Sequence, residues 1–510
     1  MDLEERVLKR AVSRRSLLKA GAAGLLASQV ALLEQVAWVP DRLALAASAL
    51  PDIQFDIGNF IAPAFTRDGV LVRFGPVYTL FVPAKLRRNP TKSDRTSLAG
   101  ALATIEQVFP FSPAGVFTFV SYGLPYFNRL PQRLVASHMP QVTAFGRGAV
   151  LKEAVPSPTD VSPANPGIKK AKFNVPVRIE ANDVLLTLRS DSLVNLQDIV
   201  AWLQGSGRLG GAAVASPAVG GLLDLRTPRL MFQQIGLPRR VAEFAGLPYS
   251  RQVNPNSPMW MGFADQQVAA SGPAAITTFL GNSSAKLTNA RAGDYFDHGS
   301  IQHLSHVIDD LDQFYMLPAE DPAGKGETFQ ERLQYMFRSN QRGTKHGMLS
   351  LGNGDQFRDG GGGAFFDNTF QGAGDALANI NVGSKQFDPN TGQGTFKGEH
   401  RMGHIAALQR SSRAPDGTPL HIRMDGTGFD PMDVPDGSQQ PKLQFTVFMP
   451  SADAFATMRA NAAALDLIAA HGNLVADEDN GLERFTTATR RQNFLVPPRR
   501  HRSFPLLELT

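Results

Sequence analysis

The sequence predicts an α+β protein in which helices pack on one face of largely antiparallel sheets. Two observations carry that expectation. Runs rich in β-branched and aromatic residues alternate with segments of helical period, and the same strand–helix–strand order recurs in both halves of the chain.

In the first half, Val70–Phe74 and Val77–Val82 read as strands, Ser97–Val108 as a helix and Val116–Val120 as a strand. Asp183–Leu188 and Ser192–Leu203 then repeat strand and helix. In the second half, Lys442–Met449 is a strand. Pro450-Ser451-Ala452-Asp453 serves as a turn and N-cap for an alanine-rich helix over Ala454–Ala470. Phe494–Pro498 is a short closing strand stopped by proline. The proline-rich stretch 153–170 reads as a surface connection. Residues 343–398, with Gly360–Gly363 and many Asn, Asp and Gln, read as an elaborated insertion.

The N-terminus has its own signature. Ser13-Arg14-Arg15-Ser16-Leu17-Leu18-Lys19 precedes the apolar stretch Ala20–Ala27, and small-residue cleavage sites follow at Ala44-Leu45-Ala46 or Ala47-Ser48-Ala49. A basic start, an apolar middle, a small-residue end and paired arginines describe a twin-arginine export signal over residues 1–46. Gln29, Glu34 and Gln35 interrupt the apolar run, which argues against a membrane-spanning helix. The expectation is a folded cargo of the twin-arginine translocase, delivered to the periplasm or the cell exterior.

Composition narrows the chemistry. The chain of 510 residues has no cysteine, which excludes disulfides, thiolate metal sites and cysteine nucleophiles. Its net charge is +5, and no stretch interleaves basic and aromatic residues, so nucleic acid is not an expected partner. The cluster Arg499, Arg500 and Arg502 reads as a solvated end. His400 and His404 have a spacing that could chelate a metal on a helix, but Gly398 and Gly403 lie within that segment. His303 and His306 fall in the alternating run Ile301–Val307, where a strand would turn them to opposite faces and prevent a shared metal. Asp355, Asp359 and Asp367 do not fit the spacing of a calcium loop. No nucleophile elbow, phosphate loop or HExxH pattern is present.

The order of several motifs resembles the dye-decolourising haem peroxidases. Gly262-Phe263-Ala264-Asp265 resembles that family's Gly-x-x-Asp-Gly motif, with Gln266 in place of the last glycine. Gly299–Phe314 resembles its strand and helix, and Phe337-Arg338 to Gly343 its Gly-Arg…Gly turn. Gly403-His404-Ile405-Ala406 resembles the segment bearing the axial histidine, and Asp416–Phe429 the stretch bearing a distal arginine. Leu443–Met449, Ala454–Ala470 and Asn493–Pro498 resemble the last strand, helix and Val-Pro-Pro ending.

The resemblance implies two ferredoxin-like modules, over 52–258 and 259–510, joined in a dimeric α/β barrel type of fold with the 343–398 insertion in the second. It implies haem b with iron in the C-terminal module, His404 as the iron ligand and Arg338 as a cofactor-binding residue. Asp265 and an arginine would act on hydrogen peroxide, and a bulky organic compound would be the reductant. Counting without gaps places Met424 at the arginine's position and Arg423 one residue earlier, which on a strand is a change of face. Either a bulge brings Arg423 round, or the site lacks its arginine. A haem-binding protein with little turnover and a haem-free exported binding protein remain alternatives, and homo-oligomerisation is left open.

Overall fold

The computed structural model describes residues 21–39, 49–61, 65–67, 70–72, 75–144, 146–255, 257–262, 274–281, 287–315, 421–463 and 482–510. Eight strands build its centre: β1 (Tyr78–Leu86), β2 (Phe117–Gly123), β3 (Val184–Ser190), β4 (Arg229–Phe232), β5 (Ser300–Asp309), β6 (Gly426–Asp430), β7 (Gln440–Met449) and β8 (Thr486–Val496).

Their pairing is antiparallel, in the order β4-β6-β7-β5-β8-β2-β3-β1, and β1 returns to β4. The sheet is therefore a closed barrel, which leaves these strands no unpaired edge. Within the first four strands the spatial order is β4-β1-β3-β2, and within the second four it is β8-β5-β7-β6. Both are the fourth–first–third–second order of a ferredoxin-like βαββαβ unit. The fold is thus α+β with two ferredoxin-like halves. The joins are equivalent too: the fourth strand of each half pairs with the second strand of the other, at Phe232↔Thr427 and at Phe494↔Gly123.

Closure explains why the strands read as they do. A barrel strand covered outside by helices buries both faces, so its sequence becomes a continuous apolar run. On β1, Leu80 and Val82 join the core under the helices, while Phe81 points into the barrel. The interior is filled by Phe81, Phe119, Leu185, Leu304, Phe448 and Phe494 with Met231 and Met424. A polar belt of Ser121, Gln302, Thr187 and Thr446 crosses it, tied by hydrogen bonds of 2.9–3.4 Å.

Among the described helices outside the sheet are α2 (Lys92–Val108), α3 (Leu193–Leu203), α4 (Leu237–Phe244) and α6 (Ala452–Ala463), with α5 (Leu311–Tyr315) following β5. Helix α2 begins five residues before the expected Ser97 because Thr91 caps it reciprocally with Asp94. Ser451 accepts the Ala454 N–H at 3.1 Å and so caps α6, as the turn sequence predicts. Strand β8 starts at Thr486, well before the expected Phe494, because its polar residues pair across the sheet.

The expected strand at Val70 is present as Val70–Val72, paired with Phe65–Arg67 in a small hairpin outside the barrel. Two expectations are corrected. The 153–170 stretch is only in part a surface connection, since Ser157, Thr159, Asp160 and Ser162 are buried while Val155, Pro163, Ala164 and Pro166 are exposed. The terminal arginines are paired rather than solvated: Arg499 and Arg502 both bind Glu106, and Arg500 binds Asp52 and Asp297. The insertion 343–398 lies outside the described residues.

The apolar part of the expected signal contains helix α1 (Gly21–Val36), which contacts α4, β4 and β6. Val30, Leu33 and Val36 are buried on its inner side, and Glu34 and Gln35 are exposed. Arg240 donates to the Val36 carbonyl at 3.0 Å and lies over the Trp38 ring. Among the described residues no helix is long and apolar enough to cross a membrane. Each fully buried aliphatic side chain contributes about 1.5–3 kcal/mol. A chain beginning at Ala47 is therefore expected to melt several degrees below one beginning at Gly21, as calorimetry would show; equal melting would mean that α1 adds nothing.

Candidate catalytic face on the C-terminal sheet

The outer face of the second half carries a row of polar side chains. On antiparallel strands, directly paired residues share a face. Asn493 of β8 pairs with His303 of β5, His303 with Val447 of β7, and Val447 with Arg423 on the two-residue strand Ile422–Arg423. These four residues form one row across the sheet. Ser305 follows two positions after His303 and pairs with Arg491 and Phe445.

Polar groups in this row are locked together. His303 Nδ1 lies 2.7 Å from Asn493 Oδ1, and its Nε2 lies 2.6 Å from Ser305 Oγ. The Asn493 amide nitrogen donates to the Lys152 carbonyl at 3.1 Å, which fixes Oδ1 as the acceptor for the ring. Nδ1 therefore carries the proton, and Nε2 accepts from the Ser305 hydroxyl. Ser305 Oγ in turn accepts from Arg491 at 2.8 Å, and Arg491 grips Asp160 through two bonds of 2.6 and 2.8 Å. Burial, followed by the Arg491 charge, holds the His303 pKa well below its ordinary value. The Phe455 ring of α6 stacks on the imidazole at 3.5 Å between centroids. With both nitrogens engaged and one face covered, His303 is a fixed neutral group rather than a metal ligand.

Arg423 is different. It is half-buried, and among the described residues no hydrogen bond or ion pair engages its guanidinium. Met424 turns the other way and packs inside the barrel with Phe448. The strand needs no bulge to do this: Ile422↔Phe448 and Arg423↔Val447 are in regular register. Around the row lies an apolar cluster of Leu287, Val447, Met449, Ala454, Phe455 and Met458. The face thus combines an apolar cluster packed under α6 with a cation, Arg423, that no described group engages.

Of the residues the sequence singled out, Arg423 lies on this face, while Asp265, Arg338 and His404 fall outside the described residues. Gly262, which opens the Asp265 motif, has φ +89°, a left-handed turn that favours glycine. Just before it, the buried Trp260 donates to the Gly428 carbonyl at 3.0 Å. His303 and His306 face opposite sides of β5, as alternation requires: His306 contacts Gln444 inside the barrel. His298, just before β5, meets Asp52 at 3.0 Å. Asp52, Asp297 and His298 lie close enough to hold a cation, but Arg500 already bridges the two carboxylates.

Fold and face together define a single-chain barrel of two ferredoxin-like halves with a polar row on its C-terminal sheet. The chain belongs to the family described as "Family of unknown function (DUF7405)", whose profile matches residues 150–344 and 366–498. The gap in that match falls in the expected insertion and contains Gly360–Gly363. No curated protein matches the chain.

Among solved structures, the fold is similar to a DyP-type peroxidase from Cellulomonas bogoriensis. The TM-score is 0.46 at 13% identity, covering 83% of this chain and 90% of that one. It is also similar to the encapsulated DyP-type peroxidase from Mycobacterium smegmatis, with TM-score 0.43, 13% identity and coverage of 84% and 95%. A variant of DypB from Rhodococcus jostii, solved in complex with haem, gives 0.44, 13%, 84% and 96%.

Proposed function

We propose that this chain is an exported haem-dependent peroxidase that uses hydrogen peroxide to oxidise bulky organic compounds. The observation that carries the reading is Arg423. It presents a guanidinium that no described group engages on the outer face of the C-terminal sheet, one residue before the position at which the resemblance asks for an arginine and with no bulge between them. The apolar cluster around Val447 and Met449 is closed by Ala454, Phe455 and Met458 of α6, so a porphyrin would lie beside it, within reach of Arg423. Bound haem would supply the redox centre that accepts oxidising equivalents from peroxide.

The chain's own residues would then do four things. His404 would hold the iron through one ring nitrogen, and Arg338 would pair with an acid substituent of the cofactor. Asp265 would move a proton between the two peroxide oxygens, which requires it within about 3 Å of them. Arg423 would stabilise negative charge on the departing oxygen. The Asn493–His303–Ser305–Arg491 chain fixes the sheet beneath, so that Arg423 is held on a rigid strand.

The purified protein should show a Soret band that disappears in His404→Ala. Arg423→Leu should retain the band and lose about 10²–10³-fold in peroxide-dependent dye oxidation, the usual cost of deleting one such donor. Asp265→Ala should behave similarly. A protein without a Soret band would overturn the reading, and one with the band but no peroxide-dependent turnover would reduce it to haem binding. Export through the twin-arginine route belongs to the same proposal, supported by Arg14, Arg15 and the segment after them. Replacing both arginines with lysine should keep the protein in the cytoplasm; unchanged export would contradict it.

A further inference from the structure

A barrel closed from two halves has two seams, and here the ladders across them are the shortest between the eight strands. Between β4 and β6 only Phe232 and Thr427 pair, whereas between β8 and β2 Phe494 meets Gly123 and Leu495 meets Tyr122. Pairing inside the halves runs much further, as along Tyr78–Ala84 of β1 against β3. One side-chain bond adds to the β4–β6 seam, from Thr427 Oγ1 to the Phe232 carbonyl at 2.6 Å.

The chain ahead of the barrel reinforces the seam between β8 and β2. The buried Gln54 accepts from the Val120 N–H at 2.9 Å and donates to the Val120 carbonyl at 3.0 Å. Its amide also donates to the Pro497 carbonyl at 2.8 Å. Val120 lies on β2 and Pro497 directly follows β8, so one side chain ties the two halves together.

At the other seam that place is taken by α1, which contacts both β4 and β6 as well as α4. Val30, Leu33 and Val36 recur at a spacing that sets them on one helix face, and all three are buried. Leu32 and Ala37 pack against the same core. Two side chains from the first half then grip the chain where the helix ends. Gln234, just after β4 and 6% exposed, donates to the Trp38 carbonyl at 2.7 Å. Arg240 of α4 donates at 3.0 Å to the carbonyl of Val36, the last residue of the helix, whose carbonyls have no partner within it.

An export signal needs a basic start, an apolar middle and a small-residue end, and none of these calls for a fit to the cargo. This segment is fitted. Its removal would open an apolar groove beside the shortest ladder and take the acceptor from the buried Gln234 amide. We propose that Gly21–Trp38 is a permanent strap across the β4–β6 seam, which the working protein keeps rather than losing it with residues 1–46. One N-terminal arm then stitches both seams, through α1 at one and Gln54 at the other.

The full chain carrying a specific protease site after Ala46 tests this, cut under native conditions and passed through a sizing column with intact-mass detection. The 1–46 peptide should stay with the barrel, and Leu33→Asp should release it. In the uncut chain, Leu33→Asp should speed hydrogen exchange in β4 and β6 by at least about tenfold and leave β2 and β8 unchanged. If Leu33→Asp does not fold, Arg240→Ala serves as the second variant and should release the cut peptide roughly two- to tenfold faster, the worth of one hydrogen bond. Loss of the peptide from the cut wild-type protein, or unchanged exchange at β4 and β6 in Leu33→Asp, would overturn the proposal. So would an exported protein that begins at Ala47 with no accompanying peptide. None of these readouts involves haem or turnover, so a failure here leaves the peroxidase reading untouched.

Discussion

Replacing Arg491 with leucine is expected to lower the unfolding free energy by about 3–5 kcal/mol, the cost of breaking a buried ion pair from one side. Arg491 and Asp160 are exposed by 5% and 4%, and their two parallel bonds leave neither charge facing water. Without Arg491, the Asp160 carboxylate keeps only the Ser157 N–H, at 2.7 Å. Ser305 loses its donor at the same time, which loosens the floor under His303. The pair also joins the 153–170 connection to β8, so the damage crosses the barrel wall. Urea denaturation measures the loss directly. A companion replacement, Asp160→Leu with Arg491→Leu, should restore most of it, because two apolar groups demand no partner. A single variant that loses less than about 1 kcal/mol would show that water reaches the pair, as it does at surface bridges.

That ion pair also marks where the sequence stopped being informative. Strands buried on both faces announce themselves, and Tyr78–Leu86 and Gln440–Met449 lie close to their expected places. Strands β4 and β6 do not. Arg229–Phe232 has four residues, and Gly426–Asp430 has two glycines, a composition that reads as loop. Both become strands because each closes a seam of the barrel, which is a tertiary cause. The 153–170 connection misled for a related reason, since its polar residues are buried by partners far along the chain, such as Glu483 and Arg491.

The candidate face was only partly legible. Arg423 could be named from motif order, but its face depends on register against Val447, which no gapless count supplies. Asn493 and Arg491 carried no signal, because their partners His303 and Ser305 lie nearly two hundred residues away. The buried Arg229 and His306 were equally silent, since their enclosure is a property of the closed barrel alone.

Asp309→Asn is expected to stabilise the protein at alkaline pH, against the usual direction of core substitutions. Asp309 is the last residue of β5, and burial pushes its pKa up to about 8, with Lys442 pulling the other way. A carboxyl whose folded pKa exceeds its unfolded value favours the fold while both states are protonated. That preference is lost as pH rises from about 4 towards 8. One pKa unit corresponds to about 1.4 kcal/mol, so the wild-type chain carries a burden on the order of 4 kcal/mol at pH 7. The asparagine variant does not titrate and should unfold at higher urea than wild type at pH 8, with the advantage shrinking towards pH 4. The comparison must be between variants, because other groups slope oppositely. Glu483, held at a pKa of about 2 by Arg459 and Lys170 against its own burial, stabilises above its unfolded pKa and loses that contribution as pH falls. His303 and His306, kept neutral by burial, also favour the fold less as the unfolded rings protonate below about 6.5. Both effects are common to wild type and variant and cancel in the difference. A difference that stays constant between pH 4 and pH 8 would mean that Asp309 keeps an ordinary carboxylate pKa and has access to solvent.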